Sequence, residues 1–267
     1  MSTPAPAPAG VPDRPFTAAD LEPDPRPAPA PRRVLAQAGF DARILLRNGE
    51  QVLLTLVLPA LLLVGLTLAA VPGLGPYRRI DVVAPGVLAL AIISTAFTGQ
   101  AIGTAFDRRY GVLRLLGTTP LGRSGLLAGR TLAVLAVEIV QVVVLGAIAL
   151  ALGWRPVPAG VLIATVPALA GTGAFVALGL LLAGTLRSEA VLAVANLVWV
   201  LLVVGGAVVV PLHGTAGSIA ALLPSGALAA AFRAALQHGR LDVGSVAVLL
   251  AWGGAAALAA VRWFRWE

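Results

Sequence analysis

The chain has 267 residues, 58% of them hydrophobic and only 12% charged, about half the charged share of an ordinary soluble domain. It has no cysteine and no lysine, so disulfides, thiolate metal sites, Schiff-base chemistry and the lysine-dependent phosphate loop of ATP-binding chains are all excluded. The net charge of +7 resides on arginines that punctuate apolar runs instead of forming one basic face, which argues against nucleic acid and for a polytopic, all-α membrane protein.

Residues 1–31 hold ten of the twenty prolines, in strings such as PAPAPAG. With almost nothing apolar to bury, this tail is expected to be disordered and locally polyproline II. It lacks a basic start followed by an apolar run, so it does not read as a signal peptide. Residues 32–267 form one membrane domain. The stretch 32–50 has helical period: Val34, Leu35, Ala38, Ala42, Leu45 and Leu46 share one arc, with Arg32, Arg33, Arg43 and Arg47 opposite. It predicts an interfacial helix on the inner leaflet, its arginines near anionic lipid headgroups. Asn48-Gly49 then turns the chain inward.

Six apolar runs follow, at about 52–71, 84–106, 131–152, 159–186, 190–212 and 243–261. Each is at or near the roughly 20 residues a membrane crossing needs. Between the second and third lies the elbow, Asp107 to Arg130, DRRYGVLRLLGTTPLGRSGLLAGR, with five arginines in a stretch too charged for hydrocarbon. Its pattern predicts two short helices. Tyr110, Leu113 and Leu116 form one stripe of the first, Gly117 ends it, and Thr119-Pro120 supplies the cap and first-turn proline of the second.

The third run carries Glu138, with Gln141 three residues on. A central acid costs roughly 3 kcal/mol on insertion, which the leucines, isoleucines and valines around it offset. An acid at that depth is either a contact on a substrate or proton path or part of a polar interhelical pair, with Gln100 or Asn196 as partners. Between runs five and six, 213–242 is expected to hold a short extracytoplasmic helix capped by Ser225, with Leu228, Phe232 and Leu236 on one face. His213 and His238 in that loop have no partner at ligand spacing, so no metal is expected. The end, RWFRWE, has the composition of an interfacial anchor. Arginine bias places both termini and the elbow in the cytoplasm: the inner segments carry fourteen arginines and the outer loops five.

The string FDRRYGVLRLLGTTPLGRSGLLAGR from Phe106, with PGVLALAIISTAFTGQ before it and LAVLAVEIVQ after it, resembles the cytoplasmic loop region of type-2 ABC transporter (ABC-2) permeases of the bacterial drug- and lipid-export kind. The preceding surface helix, the six spans and LLPSGAL before the last span extend the likeness over nearly everything after residue 31. The resemblance implies a plasma-membrane export subunit with no catalytic site or cofactor of its own. ATP would be bound by a separate ABC ATPase subunit, and the permease would dimerise with a second copy or a paralogue. Carried over residue by residue, it implies that Asp107, Arg108, Arg109, Tyr110, Arg114 and Thr119 face the ATPase, with the 32–50 helix as a second contact. Two other classes stay open on the residues alone: a non-transporting membrane anchor or assembly factor, and an intramembrane lipid-modifying enzyme. The enzyme is disfavoured because Glu138 has no His, Cys or Lys beside it.

Overall fold

The computed structural model describes residues 27–69 and 78–263. The greater part of the proline-rich tail, residues 70–77 and the last four residues of the sequence RWFRWE lie outside them. Every regular element among the described residues is helical, as a chain in hydrocarbon requires when each backbone N–H must find an internal acceptor. Helix α1 spans Ala30–Arg47, and α2 occupies 49–68 with a π-helical turn at Leu53–Val57. Helix α3 runs Arg79–Arg109 with a π turn at Ser94–Gly99. The short α4, Val112–Gly117, is followed by α5, Gly122–Ala151. Then come α6, Pro158–Thr185, interrupted at Ala164, and α7, Ser188–Gly205. Helices α8, Gly214–Ala220, and α9, Pro224–His238, precede α10, Val243–Trp263.

Five helices, α3, α5, α6, α7 and α10, are long and apolar enough to cross a membrane. The apolar part of α2 is shorter, Thr55–Leu68, than the run 52–71 expected for a first span. It nevertheless traverses the bundle. Arg79 at the start of α3 donates to the Ala69 carbonyl at the far end of α2, and Leu63 is buried in the same apolar core as α3. With six passes the first and last described helices come back to the elbow end, and the fold is an all-α polytopic bundle.

Helix α3 is its axis. In its most apolar stretch 89% of the residues are buried within the chain, against 17% for α7 and α10. Helix α6 packs along α10, α2 and α5 flank α3, and α9 lies across its opposite end. The span is also longer than the run 84–106. It begins five residues earlier, so Asp81 sits in its first turn, and it continues through Asp107, Arg108 and Arg109, residues the sequence assigns to the elbow.

The helix expected between spans five and six, either resting in the interface or dipping partly into it, takes the second placement. Helices α8 and α9 form a hairpin bent by 106°, and nearly all of α9 from Pro224 to Leu236 is buried. Its flanks, the end of α7 and the start of α10, lie at the same end of the bundle, so the hairpin enters and returns. Ser225 is not its cap. Pro224 opens the helix after Leu223, and the Ser225 hydroxyl donates instead to the Leu202 carbonyl of α7 at 2.6 Å. Leu228, Phe232 and Leu236 do share a face, and it is buried in the core.

The hairpin closes on Gly226, where a Cβ would lie 2.0 Å from the Ala220 carbonyl oxygen and 2.9 Å from that of Gly206. Both obstacles are backbone, so no rotamer change relieves them. Gly226→Ala should lower the thermal unfolding midpoint of the detergent-solubilised protein by several degrees, in line with the roughly 1–3 kcal/mol of an overpacked core. Gly146→Ala, whose Cβ meets nothing within 4 Å, should leave that midpoint in place.

Candidate functional site

Two groups of polar side chains stand out against the apolar bundle. The first gathers at the elbow. Gly111, with φ +73°, takes a left-handed turn open to few other residues and separates α3 from α4. The three polar residues just before it therefore ride on the last turn of α3 and point to different neighbours. Asp107 accepts from Nη2 of Arg130, a little over two turns into α5. Nη1 of Arg130 donates to the Thr104 hydroxyl at 2.9 Å, one turn before Asp107 on the same face of α3. The Arg130 side chain is 10% exposed and that of Asp107 34%, so the pair is largely withdrawn from water. Arg108 donates to the Leu186 carbonyl at the end of α6, and Arg109 meets Glu189 in the first turn of α7 at 2.6 Å. One turn of α3 thus fastens to α5, α6 and α7.

Helix α1 completes the cluster. It lies along the first turns of α5, where Gly129 leaves room for the Gln37 side chain. Its packed face is Val34, Gln37, Ala38, Asp41 and Leu45. The apolar arc read from the sequence is rotated relative to this face, since Leu35 and Leu46 are exposed. The face is partly polar because it rests on the charged end of α5. Gln37 donates to Asp41 at 2.8 Å, and burial lifts the Asp41 carboxyl above the usual carboxylate range, a shift opposed by Gln37 and Arg130 and reinforced by Asp107. Arg33 donates to the Pro120 carbonyl, tying α1 to the elbow as well.

The elbow differs from its sequence reading in two further respects. Thr119-Pro120 does not cap α5; the Thr119 hydroxyl donates back to the Leu116 carbonyl at 2.6 Å, and α5 begins at Gly122 after Leu121. Tyr110 and Leu113 do not share a stripe, because the Gly111 turn rotates one away from the other. Leu113 is buried, whereas Tyr110 is 72% exposed and stacks on Phe106 at 6.2 Å. With Leu115, 68% exposed, and the exposed Arg114, it forms an open lip at the tip of the elbow. Of the six elbow candidates, then, Tyr110 and Arg114 face outward. Arg109 is half-exposed in its ion pair, and Asp107, Arg108 and Thr119 are turned toward the chain. The side chain of Arg123 lies outside the described residues.

The second group lies within the bundle. Glu138 and Gln141 are both buried on α5, as their spacing suggests, but their partners are not Gln100 or Asn196. The Thr172 hydroxyl of α6 donates to Glu138 Oε2 at 2.6 Å. Gln141 Nε2 donates to the Thr55 carbonyl at 2.7 Å and to the Thr95 hydroxyl at 2.8 Å. Those two acceptors belong to the π turns of α2 and α3, so one amide joins both irregular segments. Trp199 of α7 donates to Ser94, at the start of the α3 π turn, at 3.0 Å. Gln100 is buried with its Nε2 unpaired among the described residues. Asn196 is exposed and bonds the Leu192 carbonyl of its own helix.

Residues 76–263 match the family described as ABC-2 family transporter protein. The chain belongs to that family. Comparison with curated proteins gives no match. As an ABC-2 protein it is a membrane permease of an ABC transporter, and the family works in general with an ABC ATPase partner. The matched residues include the elbow, Glu138 and Gln141, whereas α1 with Gln37 and Asp41 and α2 with Thr55 precede them.

Sequence reasoning named Arg130 only as one of five elbow arginines. The signal for its role is its position: it is the one elbow arginine that directly adjoins the third apolar run, where an unpaired charge is costly, and Asp107 is the one acid in the elbow. Removing one member of a buried ion pair costs roughly 3–5 kcal/mol, and partial exposure of Asp107 puts this pair at the low end. Arg130→Leu and Asp107→Leu should each destabilise the solubilised protein markedly. The double substitution should recover a large part of the loss in the same thermal unfolding assay, since neither charge is then stranded.

Proposed function

We propose that this ABC-2 permease is the membrane subunit of an ATP-driven exporter, dimerises in the bacterial plasma membrane, and receives the movement of a separate ATPase through the elbow and α1. The elbow end, to which α1 and the last turn of α10 return, is the cytoplasmic one on this reading, in keeping with the arginine bias. The observation that carries the proposal is the division of labour at the elbow. Tyr110, Arg114 and Leu115 are open to a partner, while the residues immediately behind them are fixed to α5, α6 and α7.

A lip attached only to a flexible loop would dissipate a push. Here the lip follows directly on the last turn of α3, and Arg130, Leu186 and Glu189 hold that turn to three further spans. Displacement of the lip is therefore a displacement of α3 together with the cytoplasmic ends of its neighbours. Such rigid-body movement of packed helices is a known route to alternating access. Helix α1 rests on α5 beside the same node and adds a second surface with exposed Leu35 and Phe40.

The test is co-expression of the permease with its ATPase, followed by co-purification and measurement of ATP turnover. Arg114→Glu combined with Tyr110→Ala should leave membrane insertion and thermal stability unchanged, because neither side chain has a polar partner among the described residues. It should cut recovery of the complex, or its permease-stimulated ATP turnover, at least tenfold. Unchanged complex and unchanged turnover would reject the elbow as the coupling surface.

A further inference from the structure

At the end opposite the elbow, the α8–α9 hairpin and the loop leading to α10 line a half-open cavity of about 400 Å³, within the size range of small-molecule sites. Its polar lining is Arg233, Gln237, His213, His238, Arg240 and Asp242, and small apolar residues such as Ala220 and Ala230 form much of the remaining wall. Asp242, the one acid in the lining, keeps its negative charge but is turned toward the start of α10: its Oδ1 accepts from the Ser245 amide at 3.2 Å and its Oδ2 from the Ser245 hydroxyl at 2.8 Å.

The arginines are differently placed. Arg233 is held in the wall by Nη2, which donates to the Ala207 and Val208 carbonyls at the end of α7, and its buried Nε has no partner among the described residues. Both acceptors are neutral, so the guanidinium charge is not compensated there. Arg240 is exposed at the rim, with no polar partner among the described residues. Gln237 is fixed by donating to the Asp81 carbonyl of α3 at 2.6 Å, and Asp81 itself does not line the cavity. Two guanidiniums, one half-buried and one at the rim, against the single lining carboxylate of Asp242 leave the lining net positive, and the Asp81 Oδ1 is buried outside it; this suits a group with several acceptor oxygens and negative charge.

We infer that this cavity binds a phosphate group, with Arg233 at its base and Arg240 at its rim. The location specifies the setting. The cavity lies where α7 and α9 end and α3 and α10 begin, at the level where apolar helices give way to polar sequence and headgroups reside. The phosphate of a lipid in that leaflet can enter from the side and place its glycerol against the alanine wall; a free phosphate can enter from water. The shared chemistry is the phosphate.

Binding of short-chain phosphatidylglycerol to the purified full chain in detergent tests this, with diacylglycerol of the same chain length as the phosphate-free probe. Arg240→Gln breaks no described contact and should weaken phosphatidylglycerol binding about tenfold, with diacylglycerol unaffected. Arg155→Gln, an exposed arginine at the same end but outside the cavity, should change neither. Arg233→Gln should weaken binding further wherever it folds, and Arg240→Gln decides the matter if it does not. Displacement of the lipid by millimolar inorganic phosphate assigns the site to free phosphate, and resistance assigns it to lipid. Equal effects of Arg240→Gln and Arg155→Gln, or none from either, overturn the proposal. The readout is binding to the permease alone, so it stands apart from ATPase coupling.

Discussion

The contact between Arg130 and Asp107 is the constraint on which the elbow end is arranged. A guanidinium that far along an apolar helix is tolerable only with its charge matched by a partner. Asp107 and Thr104 fill two of its positions, and both lie on one face of α3. This sets which face of α3 meets α5, and with it the directions in which Arg108 and Arg109 leave the same turn. Because three consecutive residues of a helix project about 100° apart, satisfying one of them inward sends the next two toward α6 and α7. The elbow is then not an independent loop but the visible edge of a joint between four spans.

Much of this fold is legible in the sequence because hydrophobic runs and arginine boundaries report the one property hydrocarbon enforces most strictly. Helices α3, α5, α6, α7 and α10 fall where the apolar runs lie, and Asn48-Gly49 does separate α1 from α2. Boundaries fail where a charge is tolerated through a partner that the linear chain does not reveal. Asp107 and Arg130 look like the limits of a solvated loop, yet they are the inner ends of two spans pressed together. The same blindness affected α1, whose packed face includes Gln37 and Asp41, because hydropathy cannot know that the surface it rests on is charged.

Side-chain partnerships were harder still to foresee. Thr119-Pro120 and Leu223-Pro224-Ser225 are both strong local capping patterns, and in both the hydroxyl is used elsewhere. Ser225 is recruited by α7 and Thr119 closes the turn behind it. Tertiary demand overrides local preference when a buried carbonyl is within reach. Glu138 and Gln141 are both buried, but their partners Thr172, Thr55 and Thr95 are residues whose type carries no warning of such a role. Asn196, which did carry one, turns outward.

The amide of Gln141 spans two places where the helical ladder holds a surplus residue. A π turn that relaxes to α geometry passes its extra residue along the chain, advancing what lies beyond it by about 1.5 Å and rotating it by about 100°. Helix α3 therefore consists of two rods in series, joined at Ser94–Gly99, and the neighbouring joint in α2 is tethered to it through a single glutamine. Such a linkage fixes both irregular segments against α5 at one depth, so neither π turn can change register without first breaking a hydrogen bond of Gln141.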